Sequence, residues 1–382
     1  MRRALAALAL GLAAAVSGCG GSVGVGGTGS YSYAPIEGFG SIYVGGIEYD
    51  DSQAAVFDED GAAIARDSLR LGMVVEVEGG EIGGSEAAPR AQAHRIRTST
   101  ELVGLASAVN AAAGTLKVFD QTVRVDAYTL FDAGLPEGLA SVAEGAALEV
   151  FGSYDVASTS FLATRIAPRA GTLAEYRVRG PVQDLDAAAR RFRIGTALFS
   201  YEGAQPLLAE GAWLRVRAET LPAAGRWKLR GAGAGMRSPQ ALARVRLRGP
   251  ITRYASDADF DLNGQRVDAR GAAFDGHPGD LALGKAVEVD GVANNGVIVA
   301  TRVRLDDHGG AQGSITLQGT IGALDRVAKT FVLRGSTVAY GAGGVQFEGG
   351  SEADLANGRA VTVKAASHGH DTLLTARRIT FN

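Results

Sequence analysis

Cysteine is almost missing from this chain of 382 residues. The single copy, Cys19, lies near the N-terminus, so no intrachain disulfide can form and no thiolate cluster can hold a metal. Lysine is scarce as well. Only Lys117, Lys228, Lys285, Lys329 and Lys364 stand among 38 basic residues, so arginine carries nearly all the positive charge. The apolar run at 4–16 has 13 residues, too few for a permanent membrane-spanning helix, which needs about 20. There is no nucleophile elbow, phosphate loop or zincin helix. The five histidines fall mostly in loops. His308 follows Asp306-Asp307, and His368-Gly369-His370-Asp371 offers ligands without a complete set, so solvated loop histidines are the expectation.

Glycine is what the chain has in abundance, with 54 copies and no G-X-Y period, a composition that suits many tight hairpins. One stretch recurs five times. It reads Gly-Lys-Ala-Val-Glu-Val-Asp-Gly at 284–291, and versions of it begin at Gly72, Gly145, Gly211 and Gly358, separated in chain order by 73, 66, 73 and 74 residues. Each version ends in an alternating strand, apolar on one side and polar on the other. A second set of glycines, Gly38, Gly104, Gly180, Gly249 and Gly319, opens each copy at nearly the same period. A repeat of this length predicts a tandem array of small β domains.

Each copy reads as three strands, a short helix and two more strands. The expectation is an all-β chain of five small OB-like β-barrel domains of about 65–75 residues. The boundaries are 35–99, 101–171, 174–248, 249–308 and 316–382. Cores of this size are marginal alone, so neighbouring copies should dock. Outward Glu and Arg on the last two strands predict cross-strand pairs Glu76–Arg95, Glu149–Arg165 and Glu288–Arg302. Asp259-Phe260-Asp261-Leu262-Asn263-Gly264 copies the first half of a calcium loop, but Arg270 stands where the bidentate Glu belongs. A type I′ hairpin at Asn263-Gly264 is therefore expected.

The N-terminus has a basic start, Met1-Arg2-Arg3, the apolar run, and then Val16-Ser17-Gly18-Cys19. This resembles a bacterial lipoprotein signal at 1–18, with Cys19 as the lipidated residue and a Gly/Ser tether over 19–34. Gly20 occupies the position where aspartate would resemble an inner-membrane retention signal, so the outer membrane is the expected address. The G-x-G-x-x-G at 24–29 lacks the strand and helix a dinucleotide site requires. No cofactor is expected. Removing 1–18 leaves 36 basic and 41 acidic residues, a net charge of −5.

The third copy departs from that acidic balance. Between Ala174 and Arg248 stand fourteen basic and six acidic residues. Arg177 and Arg179, Arg191 and Arg193, Arg215 and Arg217, and Arg244 and Arg246 alternate with apolar residues, which places each pair on one face of a strand. Trp213 shares the parity of Arg215 and Arg217. These nine residues are the candidate polyanion site, suited to phosphorylated lipid, lipopolysaccharide or acidic glycan, since guanidinium grips phosphate as a fork. Nucleic acid is not expected in that compartment. The competing reading is that these arginines neutralise acidic neighbouring copies.

The whole pattern, lipid signal followed by repeated hairpin and Gly-led strand, resembles the bacterial lipoproteins that carry the domain of unknown function 5666. The resemblance implies small β-barrel modules and an envelope location, and no known activity. The expected role is a non-enzymatic, lipid-anchored binding or scaffolding protein of the cell envelope, membrane-bound through its lipid, with an envelope protein or anionic polymer as partner. An enzyme with a cleft between copies is the remaining alternative.

Overall fold

The leading glycine of each repeated stretch is there for its backbone. The φ angles of Gly72, Gly145, Gly211, Gly284 and Gly358 are 79°, 79°, 76°, 81° and 83°, a region closed to most L-residues. This turn lets the glycine N–H donate to a carbonyl of the same copy's first strand or its end: Ile36, Ala106, Val182, Ile251 and Ile321, all at 2.7–2.9 Å. The N–H of that same residue returns a bond to the residue after the glycine, at 2.8–2.9 Å in all five cases. The fifth strand of each copy is thereby set against the first.

The computed structural model describes residues 29–85, 88–236, 241–277, 279–306, 315–367, 369 and 373–382. Cys19, the expected signal segment, His308, His368, His370 and Asp371 lie outside the described residues. The second copy shows the pairing order plainly. Leu102–Asn110 runs antiparallel to Thr115–Val118 and to Ala147–Asp155. Thr115–Val118 pairs with Gln121–Arg124, which runs parallel to the last strand, Ser160–Pro168. That last strand returns antiparallel to Ala147–Asp155 and closes the ring. Short Leu130–Phe131 joins its edge in parallel. This is the ring of an OB-like barrel, and the fold is all-β. The same closed order recurs over 30–98, 176–234, 241–305 and 315–381. We call the five segments units 1 to 5.

All five share one further device. The fifth and sixth strands slip register six residues beyond the leading glycine, at Glu78/Gly79, Phe151/Gly152, Arg217/Ala218, Asp290/Gly291 and Lys364/Ala365. A β-bulge sharpens the local twist that a small barrel needs. At three of these bulges the final glycine is required by close approach: a Cβ on Gly152 would sit 2.1 Å from the Leu162 carbonyl. The predicted ion pairs are each displaced. Glu76 faces Arg97, and Glu78 pairs with Arg95 at 3.5 Å. Glu149 pairs with Arg169 at 2.9 Å, and Glu288 with Arg304.

Other boundaries move too. Residues 30–34, expected as tether, belong to strand Ser30–Phe39, and Tyr31, Ser32 and Tyr33 are buried. Unit 3 closes with Trp227–Ala234 and not near Arg248, because Ala241–Ser256 is the long first strand of unit 4. Unit 3 also has no short parallel fourth strand among the described residues. The expected short helix is a single 3-10 turn in units 1, 2 and 5, at Arg66–Ser68, Gly138–Ser141 and Glu352–Asp354. No helix among the described residues is long and apolar enough to cross a membrane.

The units dock, but not simply as sequence neighbours. The first strand of unit 1 bonds in parallel to unit 4 through Ser30–Tyr33 against Arg244–Leu247, and to unit 5 through Gly38–Phe39 against Thr316–Leu317. Units 2 and 3 join antiparallel at Leu102–Val103 and Arg177–Val178. Cores follow the same plan. Side chains of units 1 and 5 form one apolar cluster and those of units 2 and 3 another, while Tyr31 and Tyr33 cap the barrel of unit 4. Sharing a core is the physical answer to barrels too small to be stable singly.

Candidate functional site

The alternating arginines of unit 3 do lie side by side. Arg177 is directly opposite Arg217, and Arg179 opposite Arg215, on paired antiparallel strands. Like charges in that position repel, and the structure answers with the acidic side of unit 1. Arg177 contacts Glu59 at 2.5 Å and Asp60 at 2.9 Å there, and its own neighbour Glu175 at 3.0 Å. Arg215 donates to the Glu59 carbonyl and to Ser99 Oγ, both at 3.2 Å. A cleft of about 290 Å³ beside them is lined by Glu59, Asp60 and Glu76 against Arg97, Arg215 and Arg217, and so carries no net charge.

Arg179 is withdrawn from solvent altogether. Its guanidinium meets Glu101 at 2.6 Å with both side chains fully buried. It also donates to Tyr33 Oη at 2.6 Å and lies over the rings of Tyr33 and Trp213, each 5.4 Å from the centroid. Burial opposes the Arg179 charge, but the Glu101 carboxylate and the Tyr33 hydroxyl outweigh it and hold the guanidinium protonated. Trp213 is half-buried within this stack and against Tyr154, so the outward tryptophan expected from parity is not present.

The remaining members are dispersed. Arg191 pairs with Asp186 at 3.1 Å and Arg193 with Asp184 at 3.6 Å. Arg244 and Arg246 belong to unit 4. Arg244 is exposed, whereas Arg246 binds Asp290 at 2.5 Å and the Gly45 carbonyl of unit 1 at 3.0 Å. Arg248 bridges Glu37 of unit 1 and Asp306, each at 2.7 Å. The polyanion face read from the sequence therefore does not assemble. Arg177, Arg179, Arg215 and Arg246 fasten units together, since pairing a desolvated cation is far cheaper than leaving it alone, while Arg191 and Arg193 pair within unit 3 and Arg244 stays exposed.

The calcium-like stretch is a hairpin. Asn263 and Gly264 have φ of 52° and 82°, and Asp259 and Asp261 are both held by Arg253. Among the described residues no group of three or more His, Cys, Asp or Glu is placed to hold a metal ion.

The cleft that does gather unneutralised charge lies elsewhere, on the seam of units 1 and 5. It has a volume of about 550 Å³, and half-buried Phe39 gives it apolar surface above the buried Leu69 and Leu71. Arg66, Arg70 and Arg334 line it, with Asp51 and Asp67. Arg66 reaches Asp51 only at 3.9 Å. Burial raises the Asp51 carboxyl pKa, against the pull of Arg66. Arg70 donates to the carbonyls of Asp67 and, at 2.9 Å, Leu69. Arg334 sits at the hairpin tip Arg334-Gly335 with φ of 53° and 84°. It donates to the carbonyls of Gln318 at 2.9 Å and of Gly40, across the seam, at 3.2 Å. Neither Arg70 nor Arg334 has a carboxylate within 4 Å among the described residues. Sequence reasoning missed this cleft. The turn at 67–71 is legible, but nothing local announces that a hairpin tip more than 260 residues later closes over it.

Comparison with known proteins gives one family. The model described as "Domain of unknown function (DUF5666)" matches residues 103–167, 248–304 and 318–380. Those segments fall within units 2, 4 and 5. The two units outside the match are unit 1, which bonds to units 4 and 5, and unit 3, whose Arg177, Arg179 and Arg215 contact unit 1. No curated protein matches the chain.

Proposed function

The chain is a repeat protein of the family described as domain of unknown function 5666, and on that premise we propose that it is an exported, lipid-anchored protein of the bacterial outer membrane. It works there without catalysis, as a binding or scaffolding body for an envelope protein or an anionic envelope polymer, on the periplasmic face or at the cell surface. Its anchor is Cys19, with several acyl chains giving stable attachment.

One observation carries the scaffolding part of this reading. The first strand of unit 1 is bonded to units 4 and 5 at once, and unit 1 also receives Arg177, Arg179 and Arg215 from unit 3. Five barrels so fastened offer partners a surface of fixed geometry. A preorganised surface loses little entropy on binding.

The test is metabolic labelling with a tagged fatty acid, followed by envelope fractionation and crosslinking in living cells. Label on the wild type and none on Cys19→Ser, with the wild type in the outer-membrane fraction and crosslinked to a defined partner, supports the proposal. An unlabelled protein recovered in the cytoplasm overturns it.

A further inference from the structure

We propose that the cleft between units 1 and 5 is a binding site for a phosphorylated saccharide, with Arg66, Arg70 and Arg334 as the phosphate contacts. The inference concerns a site that the scaffolding reading does not use, and it holds whether or not the chain is lipidated.

Many arginines of this protein are neutralised by carboxylates. Arg165, Arg177, Arg179, Arg246, Arg248, Arg253 and Arg304 are each tied to a carboxylate at 3.0 Å or less. A smaller group is held differently, among them Arg230 on the Ala174 carbonyl and Arg326 on the Leu355 carbonyl, and the cleft gathers two of that kind. Arg70 and Arg334 are held by backbone carbonyls. A carbonyl orients a guanidinium and leaves its full charge in place. Both side chains are therefore positioned without being neutralised, the condition under which an arginine is ready to take a charge-assisted bond from an anion. Arg334 uses Nε and Nη2 on carbonyls of the two units, and its Nη1 remains for a ligand.

The rest of the lining selects the class. Three guanidiniums against Asp51 and Asp67 leave one surplus positive charge. That suits a single phosphate and disfavours an extended polyanion, which the two carboxylates would repel. The same carboxylates are acceptors for hydroxyl groups. Half-buried Phe39 offers apolar surface to the C–H face of a sugar ring. About 550 Å³ lies in the range of small-molecule sites and accommodates a phosphorylated mono- or disaccharide.

The same chemistry occurs in a soluble sugar phosphate and in a glycolipid headgroup, so the experiment has two arms. The full-length chain in detergent is titrated calorimetrically with glucose 1-phosphate, with glucose and with inorganic phosphate. It is also titrated with vesicles displaying a 1-phosphorylated glycolipid, against vesicles of the unphosphorylated glycolipid. Saturable binding of either phosphosugar, with glucose silent and inorganic phosphate at least tenfold weaker, is the expected result. Arg334→Gln and, separately, Arg66→Gln should each weaken it at least tenfold, while exposed Arg226→Gln in unit 3 leaves it unchanged. Arg66→Gln is informative even if Arg334→Gln loosens the seam. Binding of glucose 1-phosphate assigns the soluble form, and binding confined to the phosphorylated vesicles assigns the lipid form. No binding in either arm, or binding indifferent to Arg66→Gln, overturns the proposal and leaves the scaffolding reading untouched.

Discussion

Arg179 and Glu101 meet at 2.6 Å where units 1, 2 and 3 converge, and neither side chain touches solvent. Such a pair is expensive to assemble and more expensive to break. Removing one partner leaves a buried charge with nothing to balance it, a loss of about 3–5 kcal/mol. Arg179→Met is therefore expected to lower the urea unfolding free energy by about that amount, and Arg179→Met/Glu101→Leu to recover most of it. If the double variant is no better than the single one, the pair is not the seat of the effect.

The five leading glycines make a graded test of backbone strain. Alanine at Gly358 would meet nothing within 4 Å, so only the positive φ is penalised, at about 1–2 kcal/mol. Alanine at Gly72 would also place its Cβ 2.7 Å from the Thr164 carbonyl of unit 2. Thermal unfolding should rank Gly72→Ala clearly below Gly358→Ala. Equal melting temperatures would mean that units 1 and 2 are not in contact at Gly72.

Glu149 makes the pH dependence concrete. Burial raises its carboxyl pKa, and Arg169 only partly opposes this. A carboxyl raised in the folded state favours the protonated form there. Its contribution to stability is complete below the ordinary glutamate pKa and is lost as pH rises through the folded value. Glu149→Gln should thus be more stable than the wild type at pH 7, with the difference shrinking towards pH 4. A variant less stable at neutral pH would show that the Arg169 contact dominates.

Arg244 and Arg246 are two residues apart on one strand and should behave differently. Arg244 is exposed, and Arg244→Ser should change stability by no more than about 0.5 kcal/mol. Arg246→Ser removes both the Asp290 contact and the bond to the Gly45 carbonyl. A loss of about 1–3 kcal/mol is expected, with faster amide exchange along the paired segments 30–33 and 244–247. Identical behaviour of the two variants would argue that the seam of units 1 and 4 does not depend on arginine.

The sequence by itself determined the barrel. Period-2 alternation, the leading glycines and the hairpin pair Asn263-Gly264 are local signals, and local sterics decide them whatever surrounds the chain. The register of the last two strands was not legible to the residue, because a bulge inserts a position without changing the alternation on either side of it. Nor was the start of unit 1: Tyr31 and Tyr33 look like part of a tether until the neighbour that buries them is known. The fate of the arginines was decided only in three dimensions. Alternation puts Arg177, Arg179 and Arg215 on one face, but whether that face meets water or the carboxylates of unit 1 depends on which barrel docks there. The cleft at Arg66, Arg70 and Arg334 is the same case reversed. Its charge survives because carbonyls, and not carboxylates, hold Arg70 and Arg334 in place, and no periodicity in a sequence carries information about contacts between residues so far apart.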